Sequence, residues 1–144
     1  MPHYDDPAVE EKWCQERRGE IIAYLERERV RHGRVGEWPA WHVAPYVSVW
    51  AIESKGSPAS VGWWVICGDL PTDYISSERI SHPREAVRAL AERWSKLVPY
   101  LERGEEHPEV SLGTQQSREE LAPLLKARCK LIAKWVEDDF IWPE

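Results

Sequence analysis

The apolar positions of the chain fall into three helix-spaced runs and one strand-like block. In the first run Val9, Trp13, Ile21, Tyr24 and Leu25 lie near one helical face. Asp6 and Pro7 give this run a start. Asp6 can accept a hydrogen bond at the N-cap, and Pro7 has no N–H to leave unpaired in the first turn. Glu10 and Glu11 follow where the helix dipole favours acids. Arg29, Arg31 and His32 ahead of Gly33 read as a cationic last turn and a glycine stop. The pattern predicts a helix over residues 7–32. Its weakest part is 15–20, which has no apolar side chain and contains Gly19.

Residues 36–75 hold five of the nine tryptophans, Trp38, Trp41, Trp50, Trp63 and Trp64. Within them, 46–53 (YVSVWAIE) and 61–68 (VGWWVICG) are rich in β-branched and aromatic residues, and SKGSPAS between them is a turn. They predict an antiparallel hairpin. Side chains alternate along a strand, so Val61, Trp63, Val65 and Cys67 take one face, and Trp64 and Ile66 the other. Neither face is polar, so both must be covered. Trp63 and Trp64 are therefore expected to be largely buried on opposite sides. A lone hairpin is marginal in water, which calls for a third strand, at 73–76 or at 109–112. Residues 33–44 and 69–73 read as loops.

Pro83 opens a second helix with Val87, Leu90, Ala91, Trp94, Leu97 and Val98 at helical spacing. Pro99 is expected to end or kink it, and Gly104 is its latest stop. Residues 105–116 read as a loop. Ser117-Arg-Glu-Glu120 has the form of a capping box. Behind it Leu121, Leu124, Leu125, Cys129, Ile132, Trp135 and Val136 form a third apolar face, with Pro123 inside its start. The fold class expected is α+β. A small antiparallel sheet packs with three helices, in the order α-β-β-(β)-α-α, as a single domain over residues 1–144.

Composition narrows the function classes. The formal charge of -6 argues against nucleic acid, which needs a basic face to displace counterions. No apolar run is long enough to span a bilayer, and the N-terminus lacks the pattern of a signal peptide. Cys14, Cys67 and Cys129 are odd in number and far apart, with no zinc-type spacing. They read as free thiols in a reducing, cytoplasmic setting. No Gly-rich phosphate loop, metalloprotease motif or calcium loop is present, so neither a cofactor nor a metal is expected.

The words GEWPAWHVAPYVSVWAIES, GWWVICGDLPTDYI and HPREA, with WCQERR and DDFIW near the ends, resemble an uncharacterised bacterial domain-of-unknown-function family. The resemblance covers most of the chain. It implies a bacterial cytoplasmic protein and supplies no catalytic residues.

Chemistry-bearing candidates each have two readings. Asp69 and Asp73 could be paired carboxylates for metal or acid–base work, or could bond turn amides. His42 could be a general base or a ligand, or a partly buried ring with one nitrogen bonded to a carbonyl. Cys67 has no activating base near it in sequence and reads as a small buried hydrophobe. Trp38 and Trp41, on a loop with Pro39 and Pro45, are the tryptophans expected to be partly exposed. Glu137, Asp138 and Asp139 sit at a helix C-terminus, where the dipole disfavours them. Pairing with Arg17 or Arg18, or with a basic partner, would relieve this. The function that fits best is a non-enzymatic module of inhibitor or immunity type. It would bind a protein with a basic surface through Glu37, Trp38, Trp41, His42, Asp69, Asp73 and Tyr74. The rivals are a small hydrolase using His42 with Asp69 or Asp73, and a small-ligand binder lined by tryptophan. Oligomeric state is left open.

Overall fold

The computed structural model describes residues 3–110, 112 and 118–143. Helix α1 spans Pro7–Arg27, with the Asp6 carboxylate accepting from the Ala8 amide at 2.9 Å. It ends five residues before the predicted stop. Glu28 is the C-cap and Arg29 takes φ 56°, a left-handed residue that turns the chain without a glycine. Gly33 serves another contact. Its N–H bonds the Glu53 carbonyl at 2.7 Å, and a Cβ there would stand 3.2 Å from the Glu53 and Ser54 oxygens. The apolar-poor stretch of α1 stays helical because its arginines are engaged. The Arg18 guanidinium donates to the Gly36 and Val35 carbonyls at 2.9 and 3.1 Å, holding the following loop.

The sheet has four strands in the order β1-β2-β3-β4, each antiparallel to its neighbour. They are β1 (Trp41–Val43), β2 (Val47–Glu53), β3 (Val61–Gly68) and β4 (Leu70–Ser76). The central hairpin is as predicted. Two segments read as loops are strands: Trp41–Val43, and the start of β4. The turn into β4 is only Asp69. Gly68 at φ 142° makes it possible, since a Cβ there would meet the Tyr46 carbonyl oxygen at 2.5 Å. Pro71 is tolerated because β4 is an edge strand and needs no outward donor. Of the two places offered for a third strand, 73–76 is correct. Glu109, Val110 and Leu112 lie outside any strand.

Both sheet faces are covered. Val47, Val49, Trp64, Ile66 and Leu70 pack against α2 (Pro83–Glu102) and α3 (Arg118–Glu137). Trp50, Ile52, Val65 and Cys67 pack against Ile21, Tyr24 and Leu25 of α1. Trp64 is buried as expected, whereas Trp63 is only half-buried at the rim of its core. Pro99 does not end α2, which runs three residues further to Glu102 before Gly104 turns at φ 70°. Helix α3 likewise includes Pro123. The capping box at Ser117 lies outside the described residues.

Because α1 and α3 lie on opposite faces, Arg17 and Arg18 do not meet the acidic end of α3. Arg84, in the first turn of α2, does so instead. It donates to the Val136 carbonyl and to Asp139, both at 2.7 Å. A cation thus meets the last carbonyls of α3, which offsets the unfavourable placement of the acids. His82, the N-cap of α2, accepts from the Arg84 amide and bonds the Pro143 carbonyl at 2.7 Å.

Trp38 and Trp41 part company. Trp38 is 47 % exposed, but Trp41 is 5 % exposed. The Trp41 ring stacks on Trp142 at 3.9 Å, and its indole N–H donates to the Ile141 carbonyl at 2.8 Å. Trp41 is therefore core, contrary to the loop reading. Trp41→Ala should cost about 3–5 kcal/mol, as for other large aromatic deletions. Trp38→Ala should stay within roughly 0.5 kcal/mol, as for an exposed site. Urea denaturation of both variants checks the contrast, and equal losses would contradict it.

Candidate functional site

The residues proposed for hydrolysis are held apart. His42 is on edge strand β1, on the α1 side. Its Nε2 lies 3.1 Å from Glu10, and its ring sits between Trp13 at 6.3 Å and Trp38 at 5.4 Å. Asp69, in the β3–β4 turn, is held by Arg128 of α3 at 2.9 Å. Asp73 is on the opposite edge strand from His42. The three cannot act on one substrate atom. Glu37 is exposed and pairs with Arg34 at 2.9 Å. Cys67 is buried, and burial pushes its thiol up to about 12, so it stays protonated and inert. Among the described residues no group of three or more His, Cys, Asp or Glu could hold a metal ion.

A different candidate site lies at the edge of β4. Alternation sends Asp73 toward α2 and Tyr74 toward α1. Asp73 is 4 % exposed. Its Oδ2 accepts from the Trp94 indole N–H at 2.8 Å and from Arg93 at 3.4 Å, and its Oδ1 from the Tyr74 amide at 2.9 Å. The same Arg93 nitrogen donates to the Tyr74 carbonyl at 2.9 Å. Desolvation outweighs these donors and raises the Asp73 carboxyl above the usual range.

On the α1 side, Tyr74 meets two rings almost at right angles. Tyr24 is at 5.9 Å and 66°, and Trp63 at 5.5 Å and 71°. Trp63 donates its indole N–H away, to the Arg31 carbonyl at 3.1 Å. Glu28 just past α1, and Glu109 with Val110 and Leu112, close the other sides. The result is a cavity of about 470 Å³ that wraps the sheet edge. Burial pushes the Tyr24 hydroxyl up, with Asp73 and Glu28 adding to it.

A second depression, about 480 Å³, lies beside Tyr4, Lys12 and Trp13. Its Arg17 is bound to Glu20 at 3.0 Å and lies 5.3 Å over the Trp13 ring. The Arg17 Nε is buried and makes no hydrogen bond. The β4 cavity has the clearer build: aromatic walls, a few convergent polar groups and a perturbed carboxyl.

Of the binding residues proposed from sequence, Asp73 and Tyr74 line this cavity, whereas Glu37, Trp38, Trp41, His42 and Asp69 do not. Sequence reasoning missed Tyr24, Glu28, Arg93 and Glu109 as site residues. Arg93 carried a weak signal, a cation directly before the core residue Trp94.

Fold and cavity define a small α+β protein with an aromatic, acid-rimmed pocket at a sheet edge. The chain belongs to a family described as a domain of unknown function (DUF4826), whose model matches residues 7–142. No curated protein and no solved structure matched the chain.

The raised Asp73 carboxyl makes stability depend on pH. Its folded form holds a proton more tightly than the unfolded chain does. Its favourable contribution is complete below the unfolded value, near 3.8, and is lost as pH rises through the raised folded value. Asp73→Asn removes this titration. Wild type should therefore gain stability relative to Asp73→Asn as pH falls through that window, measured by chemical denaturation. A difference that does not change with pH would contradict it.

Proposed function

We propose that this protein binds a small molecule in the β4-edge pocket. The observation that carries the reading is the pocket itself, about 470 Å³, walled by Tyr24, Trp63 and Tyr74 on the α1 face of the sheet edge, with the buried Asp73 on the other face. Its volume falls in the usual range for ligand sites, and the rings are pinned before any ligand arrives. Edge-on contacts hold the three rings together, and the Asp73–Trp94 hydrogen bond fixes the strand beneath them. The reading is of binding rather than hydrolysis, since His42 and Asp69 are engaged elsewhere. The free thiols at Cys14, Cys67 and Cys129 support a reducing, cytoplasmic setting. No helix among the described residues is long and apolar enough to cross a membrane.

The test is a ligand-observed NMR screen of a fragment library containing cations, anions and neutral molecules. Ser76 lines the pocket and is exposed, so Ser76→Trp should fill it without removing a core contact. Fragments that bind wild type should lose at least tenfold in affinity with Ser76→Trp, while its melting temperature stays close to wild type. If no fragment binds, or if Ser76→Trp binds as well as wild type, the reading fails.

A second reading is favoured by the aromatics around β1. Trp38 is half-exposed and Phe140 is 97 % exposed. Both lie close in the chain to Trp41 or to its hydrogen-bond partner Ile141. Exposed rings beside a short edge strand suit a protein partner, in line with the inhibitor-type reading. Trp38→Ala and Phe140→Ala should each weaken a complex captured from host lysate without lowering the melting temperature. Unchanged capture by both variants would remove this reading.

A further inference from the structure

We propose that the β4-edge pocket takes an organic cation, an alkylated ammonium group. The proposal rests on the ligand-binding reading above and adds the chemistry of the ligand. The first observation is the arrangement of the rings. Tyr24 and Trp63 stand at 66° and 71° to Tyr74, forming walls and a floor rather than a flat stack. Aromatic faces carry negative charge density, and several around one cavity attract an ammonium group while shedding its water. The Trp63 N–H is already engaged with Arg31, so this ring offers the pocket carbon and π surface. Tyr24 already attracts a cation: the Arg27 guanidinium lies 5.5 Å from its centroid.

The second observation is the balance of charge. Asp73, Glu28 and Glu109 line the pocket, against Arg93 as its lining cation. Arg93 is committed to Asp73 and the Tyr74 carbonyl. Among the described residues, neither Glu28 nor Glu109 is in an ion pair; the nearby Arg27 rests on Tyr24. The Tyr24 hydroxyl is pushed up first by burial and then by Asp73 and Glu28, with Arg27 opposing. An anion entering here would face the Glu28 and Glu109 carboxylates and an arginine already satisfied by Asp73. A neutral ligand would leave Glu28 and Glu109 without a partner. An ammonium group meets the π faces on its methyls and the carboxylates across the mouth, where their charge also steers it inward.

The volume suits either a free small amine or a methylated lysine side chain, and the chemistry recognised is the same. The experiment uses charge-matched shapes. Choline, its neutral isostere 3,3-dimethylbutan-1-ol and the anion 3,3-dimethylbutanoate are titrated by NMR into the full chain. N-acetyl-trimethyllysine amide and tetramethylammonium are added as further cations. At least one cation should bind ten times more tightly than the neutral isostere, and the anion should not bind. The affinity should fall as salt rises, and Glu28→Gln/Glu109→Gln should reduce the preference for charge while leaving the melting temperature near wild type. Tighter binding of the lysine derivative than of choline assigns a peptide source, and the reverse a free amine. The proposal is overturned if the neutral isostere or the anion binds as well as every cation. It is also overturned if the double variant keeps the full preference. Pocket binding by uncharged or anionic fragments alone would sink the cation proposal and leave the ligand-binding reading standing; no binding by any class sinks both.

Discussion

The central hairpin has no face that water could wet. Val49 and Ile66 point one way, Trp50 and Val65 the other, and all four are fully buried. A sheet so loaded must be a middle layer. One helix covers one side, and a helical hairpin covers the other. From this follows the separation of α1 from α3. It also decides which cation can reach the acidic end of α3. Only α2, on the same face, can supply one, and its Arg84 does so. What looks in sequence like an offence against the helix dipole is a contact between two helices packed side by side.

A middle layer is covered on its faces but not on its edges. The exposed edges of β1 and β4 are handled differently. On β1 the strand is short, and Trp41 is anchored to the C-terminal segment. On β4 the Tyr74 carbonyl is met by Arg93, and Pro71 removes a donor. Such devices discourage another chain from adding a strand. Helix α1 ends at Arg27, beside β4, and Glu109, Val110 and Leu112 approach from the other side. The gap between them is the pocket. The site is thus a product of where α1 stops, which turns on a left-handed Arg29 rather than on Gly33.

This explains what could and could not be read from the sequence. The hairpin, its two faces and the three helices were legible because their apolar periodicity is strong. Strand β1 was not, because three residues are too few for a pattern. The start of β4 was hidden by Asp69 and Pro71, residue types that usually mark loops and here occupy a one-residue turn and an edge strand. The end of α1 was missed because left-handed arginine has no signature, whereas the glycine that looked like a stop was needed for close approach to Glu53. Of the candidate site, Asp73 and Tyr74 were visible as polar and aromatic groups at the end of the Trp-rich block. Tyr24 and Trp63 were visible only as core. That they share a cavity depends on the α1–β4 juxtaposition, which no local pattern encodes. Trp41 shows the opposite error: its core partner Trp142 is about a hundred residues away in the chain.

Asp73 is where fold and function meet. As a fastener it joins β4 to α2 through Trp94 and Arg93. A neutral acceptor could satisfy the Trp94 N–H equally well, without the desolvation that raises the carboxyl. The carboxylate is thus more than the fastening requires. What it adds is charge at the same sheet edge, across the strand from the three aromatic rings and in a cavity that Glu28 and Glu109 also line. Arg93 limits the cost of that charge but binds it on the strand side, through the same nitrogen that holds the Tyr74 carbonyl. A buried group that works against stability while shaping the potential of a cavity is the signature expected of a binding site. A buried acid whose whole task was to hold α2 would have no reason to border an open, aromatic space.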